Sequence, residues 1–505
     1  MHKLIPITLL LSISSLLTAQ EEQRNPAAGQ PNILVFLIDD MGVMDTSLPF
    51  LTDAQGKPER HPLNDLFRTP NMERLAAHGI RFEQFYANSV CSPTRVTLMT
   101  GQTSARHRTT QWILSESNNA GKFGPKDWQW KGISRQHETL PAILREAGYR
   151  TMHAGKAHFG PNDSFGELPQ NFGFDINIAG CSWGQPGSYY GADHFGHAKK
   201  KRQRRAVPGL EKYHGQEIYL TEALTLEMNA AIGQAVTDNK PFFAYMSHYA
   251  VHGPFETDPR FAAHYEGKDL SKRAIAFATM IEGIDKSLGD MLDHLDKLGV
   301  AENTLVFFLG DNGTDAPLGS THEIACAAPL RGKKGTHYEG GLRVPFIAAW
   351  AKPNSKATAQ KALPIRGGTL SRKVGRIYDL FPTILAITGL EHESKIDGID
   401  LSPLLAGEKS RHPESFLMHF PHSHRSSYFT AYRQGDWKLI HHYHEPKGSR
   451  DELFNLAKDR SESNNLAGSE PEQLRRMTKA MAAALADAKA QYPTAKDGKP
   501  LTPWQ

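Results

Sequence analysis

The sequence predicts an α/β protein, a large and mostly parallel sheet sandwiched by helices, followed by a smaller α+β unit. Short apolar runs recur along most of the chain, helical patterns closed by glycine separate them, and the texture changes after about residue 405. Alternation of strand and helix builds a sheet covered on both faces, whose strands are apolar throughout because neither side meets water.

Residues 33–38, Ile-Leu-Val-Phe-Leu-Ile, form the clearest such strand, and 304–309 are its equal. The runs 150–153, 241–246 and 344–349 are weaker members. Helices are expected over 71–78, stopped by Gly79, over 139–147, stopped by Gly148, and over 272–298, stopped by Gly299. In the last, Leu288, Met291, Leu292, Leu295 and Leu298 repeat at helical spacing and read as core. Residues 430–440 read as a hairpin turning at Gly435-Asp436. The polar stretch 455–466 then leads to a helix over 470–490, so that 30–405 form the α/β domain and 406–505 a C-terminal subdomain of antiparallel sheet plus helix.

A chain of 505 residues with 39% hydrophobic and 22% charged residues can bury one large core and a smaller one. Its formal charge of +4, from 58 basic and 54 acidic residues, is too small to argue for nucleic acid. The start Met1-His2-Lys3, the apolar run 4–17 and Thr18-Ala19-Gln20 read as a secretory signal peptide cleaved near Ala19. The run contains Pro6 and is shorter than the ~20 residues a spanning helix needs, so export without stable membrane insertion is expected, to a periplasm or beyond the cell. Three cysteines, Cys91, Cys181 and Cys326, build no disulfide framework; Cys181 and Cys326 are either one bridge or two buried thiols.

Open α/β sheets bind ligands at the carboxyl ends of their strands. Here those ends carry Asp39-Asp40, Lys156 and His158, His248 and His252, and Gly310-Asp311-Asn312-Gly313. Asp39, Asp40, Asp311 and Asn312 offer only oxygen, which suits a hard cation, Ca²⁺ first and Mg²⁺ second, and disfavours Zn²⁺ or copper. Taken singly, an Asp-Asp pair after a strand is a common turn or helix cap; the matching Asp-Asn after a second strand argues for a metal site.

The sharpest signal is Cys91-Ser92-Pro93-Thr94-Arg95, continued to Thr100-Gly101. It occurs in order with Asp39-Asp40, Gly155-Lys156-Ala157-His158-Phe159-Gly160, Gly310-Asp311-Asn312-Gly313 and the stretch 331–345, Arg-Gly-Lys-Lys-Gly-Thr-His-Tyr-Glu-Gly-Gly-Leu-Arg-Val-Pro. Together these resemble the type I sulfatases of the alkaline-phosphatase-like superfamily, in particular bacterial carbohydrate sulfatases, from Pro31 to about Leu466. The resemblance implies that a maturation enzyme oxidises Cys91 to formylglycine (3-oxoalanine). It also implies that Asp39, Asp40, Asp311 and Asn312 bind the cation, with the aldehyde oxygen of residue 91 and a sulfate oxygen completing the shell. A serine attacking sulfur would end as a stable alkyl sulfate, whereas a hydrated aldehyde attacks with one hydroxyl and expels sulfate with the other.

By the same resemblance Lys156 and Lys334 bind sulfate and Arg95 stabilises formylglycine. His252 protonates the leaving alcohol, and His158 takes the second hydroxyl's proton. His248, four residues before His252, and Lys333, beside Lys334, are the alternatives if the register slips. Ala157 departs from the family pattern, in which many members have Trp before the histidine; it either widens the site or is covered by a neighbour.

Two further stretches stand out. Residues 199–205 hold six basic side chains in seven positions, either a solvated loop or a rim that attracts a polyanionic glycan. Residues 180–191 carry Trp183, Tyr189 and Tyr190, which either stack on a sugar or pack a long insertion. The expected function is sulfate removal from a sulfated polysaccharide or oligosaccharide. An arylsulfatase, a phosphonate or phosphate monoester hydrolase on the same metal rim, and a non-catalytic glycan-binding homologue are the competing readings.

Overall fold

The computed structural model describes residues 30–444 and 449–503; the expected signal peptide, 1–19, lies outside them. Twelve strands form two sheets among the described residues. They are β1 Asn32–Ile38, β2 Ile80–Tyr86, β3 Arg150–Gly155, β4 Ile176–Ile178, β5 Phe242–His248, β6 Thr304–Gly310, β7 Phe346–Trp350 and β8 Thr369–Arg376, then β9 Ser415–Phe420, β10 Phe429–Gln434, β11 Trp437–His442 and β12 Asp451–Asn455. The first eight make one sheet in the order β4-β3-β5-β1-β6-β7-β2-β8. It is parallel except for β7, which runs against both β6 and β2, so the sheet is mixed and mostly parallel.

β1 shows why this sheet is a sandwich. All seven of its residues are buried, yet successive side chains enter different cores. Leu34, Phe36 and Ile38 pack with the helices Pro70–His78, Leu220–Thr237 and Lys272–Lys297, while Ile33, Val35 and Leu37 pack with the helices Leu140–Glu146 and Leu380–Thr388. Leu288, Met291, Leu292 and Leu295 of the helix Lys272–Lys297 are core, as their spacing requires, whereas Leu298 lies at its C-terminal cap and is only partly buried.

β9 to β12 form the second, antiparallel sheet, ordered β12-β11-β10-β9, with the hairpin turning at Gly435-Asp436 and the helix Pro471–Asp487 packed on it. Phe416, Met418, Phe420 and Phe429 join the core beneath the large sheet, so the two sheets share apolar surface.

β1 lies between β5 and β6, with Ile38 level with both His248 and Gly310. Its C-terminal residues therefore emerge at the middle of the sheet edge, beside those of β5 and β6. No helix among the described residues is long and apolar enough to cross a membrane.

Candidate active site

Asp39 and Asp40 leave β1, and Asp311 and Asn312 leave β6, all four with no exposed surface. The Asp40 amide donates to Asp311 Oδ1 at 3.0 Å, and Asn312 Nδ2 donates to Asp40 Oδ1 at 3.0 Å. Carboxylate oxygens of Asp39, Asp40 and Asp311 lie within 4.8 Å of one another. Asp39 Oδ1 and Asn312 Oδ1 are buried with no hydrogen-bond partner among the described residues. An all-oxygen cluster with two such bare acceptors fits a hard divalent cation, because buried acceptors left without a partner are costly. Gly313 lets this turn close against the Gly-Gly pair of the second motif: a Cβ there would meet Gly340 O at 2.1 Å.

Cations surround the carboxylates. Arg95, on the helix Cys91–Thr100, is fully buried and donates through Nε and Nη2 to Asp311 Oδ2 at 3.0 and 2.8 Å, and through Nη1 to the Lys156 carbonyl and Ser247 Oγ. Lys156 follows β3 directly. Gly155 has φ +95°, and a Cβ on it would meet Ser247 O at 2.0 Å, so only glycine permits this exit. Lys156 Nζ reaches Asp39 Oδ2 at 2.7 Å. Lys334 Nζ lies 2.7 Å from Asp40 Oδ1 and 2.8 Å from Oδ2. Three carboxylates face three fixed cations, so a divalent ion would leave a net positive site, suited to an anionic ester.

Cys91 opens its helix, with its side chain at the positive N-terminal end. His158 Nδ1 is 3.3 Å from Cys91 Sγ, and His158 Nε2 is 2.6 Å from the Ile113 carbonyl. A carbonyl can only accept, so Nε2 carries the proton and Nδ1 presents a lone pair to residue 91. Burial first, then Lys156, holds His158 well below the ordinary histidine range, so it stands as a neutral base.

His252 is partly exposed, its Nδ1 bonded to the Gly253 carbonyl at 2.8 Å and its Nε2 3.7 Å from Asp40 Oδ2. Burial and then Lys334 lower it to about 3. His248 does not enter the site. It is the last residue of β5, fully buried against Phe36 and bonded to Ser287 Oγ at 2.9 Å. Lys334, not Lys333, reaches the carboxylates and lines the cleft.

The cleft above Cys91 encloses about 270 Å³. His158, His252 and Lys334 line it with Cys91, and Trp112, Trp183, Arg204, Arg205, His424 and Arg425 contribute to its walls. Arg425 is braced by Asp315 at 2.5 and 3.0 Å. The basic run thus reaches the rim. Within it Lys199 is paired to Asp193 at 2.5 Å and Arg202 to Glu256 at 3.0 Å, while Lys200, Lys201 and Arg204 are exposed. Of the aromatic loop only Trp183 faces the cleft. Tyr189 is buried and its hydroxyl donates to the carbonyls of Tyr249 and His252, and Tyr190 donates to the Thr257 carbonyl, so both shape the segment bearing His252. Ala157 is buried in the core with Phe159 and does not line the cleft, so neighbours cover it. Cys181 and Cys326 are both free buried thiols.

The sequence reading did not find Ser247, the Ile113 carbonyl, Trp112, Asp315, His424 or Arg425. Ser247 precedes His248 on β5, so its side chain leaves by the opposite face, toward Arg95.

The chain matches the family model described as "Sulfatase" over residues 31–390, and that described as "N-sulphoglucosamine sulphohydrolase, C-terminal" over 333–491. It is 31% identical to N-acetylgalactosamine-6-sulfatase of Mus musculus across 81% of this chain and 71% of that one. The match to the Canis lupus familiaris counterpart, also 31% identical, covers 75% of this chain and 66% of that one. A sulfatase of Formosa agariphila is 27% identical over 94% of this chain and 91% of its own. Among solved structures, Ps i-CgsB in complex with k-i-k-neocarrahexaose superimposes with a TM-score of 0.69 at 25% identity, covering 91% of this chain and 93% of the other. The PsFucS1 sulfatase from Pseudoalteromonas sp. gives 0.65 at 23% identity, covering 91% of each chain. With the model match spanning most of its length and a fold shared with these enzymes, the chain belongs to the sulfatase family, the sulfuric ester hydrolases of alkaline-phosphatase-like fold.

Proposed function

We propose that this enzyme removes sulfate from a sulfated oligosaccharide or polysaccharide, using Cys91 matured to formylglycine and a divalent cation, Ca²⁺ before Mg²⁺, held by Asp39, Asp40, Asp311 and Asn312. The observation that carries the proposal is Cys91 at a helix N-terminus at the foot of a cleft, facing a neutral His158 and flanked by buried Lys156, Lys334 and Arg95. A formylglycine hydrate supplies two hydroxyls, one to attack sulfur and one to expel sulfate, and the cation supplies charge that steadies both the nucleophile and the sulfate oxygens. Lys156 and Lys334 bind the sulfate oxygens and Arg95 orients residue 91. His252 delivers the proton that the departing sugar oxygen needs, and His158 Nδ1 accepts the proton of the second hydroxyl as sulfate leaves.

A carbohydrate substrate is supported by the relative named N-acetylgalactosamine-6-sulfatase, by the neighbour solved with k-i-k-neocarrahexaose, by Trp183 on the cleft wall, and by Arg204 and Arg205 at its rim. Export by the segment 1–19, a separate maturation enzyme, and a division near residue 405 belong to the same proposal. The test has two parts. The peptide around Cys91 should weigh about 18 Da less than the cysteine form in active preparations. Matured enzyme should release sulfate from defined sulfated sugars and leave nitrophenyl phosphate largely untouched; an unmodified Cys91 in active enzyme would end the proposal. Cys91→Ala should abolish turnover, and Cys91→Ser should allow at most one event per molecule.

A further inference from the structure

Three ligand-type side chains converge outside the cleft, where the loop bearing Lys334 meets the second sheet. His337 follows Lys334 by three residues, His442 ends β11 and Glu452 lies on β12; one ligand atom of each lies within 4.8 Å of the others. His442 Nε2 is 2.9 Å and His337 Nε2 3.6 Å from Glu452 Oε2. A tetrahedral Zn²⁺ with bonds of about 2.0–2.2 Å to imidazole nitrogen and carboxylate oxygen sets its ligand atoms about 3.3 Å apart, a value these two separations bracket.

His337 supplies a second, independent observation. It is 5% exposed, and neither ring nitrogen has a hydrogen-bond partner among the described residues. Its ring centroid lies 4.9 Å from that of His442, nearly perpendicular to it. Burial, then His442, keeps His337 well below the ordinary histidine range, and the neutral ring is the form that ligates. The nearby cations are engaged elsewhere: Lys438 by Glu339 and Glu462, Arg331 by the Tyr338 ring and the Glu462 carbonyl. Two imidazoles and one carboxylate suit Zn²⁺ and are a poor set for Ca²⁺.

We propose that His337, His442 and Glu452 bind a structural Zn²⁺, completed by water or by His322, which ties the Lys334 loop to the second sheet. The ring centroid of His322 lies 6.0 Å from that of His337. The ion is distinct from the one at the aspartates, and the proposal does not depend on sulfatase activity. To test it, the chelator-stripped full chain is loaded with Zn²⁺ in excess Ca²⁺, desalted, and its metal content measured by mass spectrometry, with Co²⁺ absorption as a report of geometry. Wild type should retain one Zn²⁺ per chain, give a tetrahedral Co²⁺ band, and melt at a higher temperature with Zn²⁺ than without. His337→Ala and Glu452→Gln should each lose all three signals, and Asp39→Asn should keep them. Should His337→Ala fail to fold, the partly exposed Glu452→Gln decides. Wild type that retains no Zn²⁺, or either variant that retains a full equivalent, overturns the proposal.

Discussion

Asp39 and Asp40 are adjacent and equally buried, yet they titrate in opposite directions. Burial pushes Asp39 up to about 6 against the pull of Lys156. Burial also pushes Asp40 up, but Lys334, His252 and Lys156 outweigh it and hold Asp40 below the usual carboxylate range. Asp311, raised by burial and then by Asp39, sits at about 6 as well.

Without a cation, Asp39 and Asp311 should contribute progressively less stability as pH rises, opposite in sign to buried histidines such as His158 and His252, whose lowered values favour the fold as pH rises through the histidine range. Asp39 and Asp311 have folded values above their unfolded ones, so folding takes up protons between about 4 and 6, and their contribution is lost as pH rises through about 6. Asp40 acts the other way, contributing above about 4 and losing that contribution as pH falls. In chelated protein, added Ca²⁺ should raise the melting temperature strongly at pH 8 and little at pH 5, where protons compete for the oxygens. Equal stabilisation by Ca²⁺ at both values would refute the cation assignment.

His158 and His252 should fail differently. His158→Ala leaves nothing to accept the second hydroxyl's proton, so a burst of released alcohol without matching sulfate should precede a stall. His252→Gln removes the leaving-group acid, which matters most for poor leaving groups: kcat should fall by about 10²–10⁴ on a sugar sulfate and under about tenfold on nitrophenyl sulfate. His252 is lowered to about 3 in the free protein, and an anionic ester beside it would favour its protonated form. Equal losses on both substrates would remove His252 from the acid role.

The exposed members of the basic run should act on capture alone. Lys199 and Arg202 are held by Asp193 and Glu256 and should be left in place. Replacing Lys200, Lys201 and Arg204 with Gln should raise KM several-fold for long sulfated polymers at low salt, spare kcat, and lose its effect toward 1 M salt, where the Debye length is about 3 Å. A salt dependence identical to wild type would show the rim to be idle.

Legibility followed burial on two faces. β1 and β6 were readable because every residue in them is apolar or nearly so, and a run of that kind fits nowhere but the sheet centre. β2 was not, because Arg81 and Glu83 interrupt its pattern; both are buried, Arg81 donating to the Pro49 carbonyl and Glu83 accepting from Thr52. β8, an edge strand with exposed Arg372 and Lys373, carries too little apolar signal, and the helix Leu220–Thr237 was also passed over. The charged site residues were visible through their motifs. The Ile113 carbonyl was not, since a backbone acceptor leaves no mark on composition, nor were His424 and Arg425, which the second sheet delivers to the cleft from far along the chain.

That second sheet is joined to the active-site loop by Lys438 of β11, which donates to Glu339 Oε1 at 2.9 Å and to Glu462 Oε1 at 2.7 Å, all three buried. Glu339 also accepts from Tyr86 at 2.6 Å and from Arg343, and it starts the short helix Glu339–Leu342 just after Lys334. Lys438→Met would leave two carboxylates buried without their shared cation, and breaking such a network by removing one partner costs about 3–5 kcal/mol. Urea unfolding should show a loss of that size. Lys438→Met combined with Glu462→Gln should recover much of the stability, because Glu339 keeps Arg343 and Tyr86 as partners while a neutral amide at 462 no longer needs the cation. If Lys438→Met alone is neutral, the network does not hold the two sheets together, and Lys334 must owe its position to its own grip on Asp40.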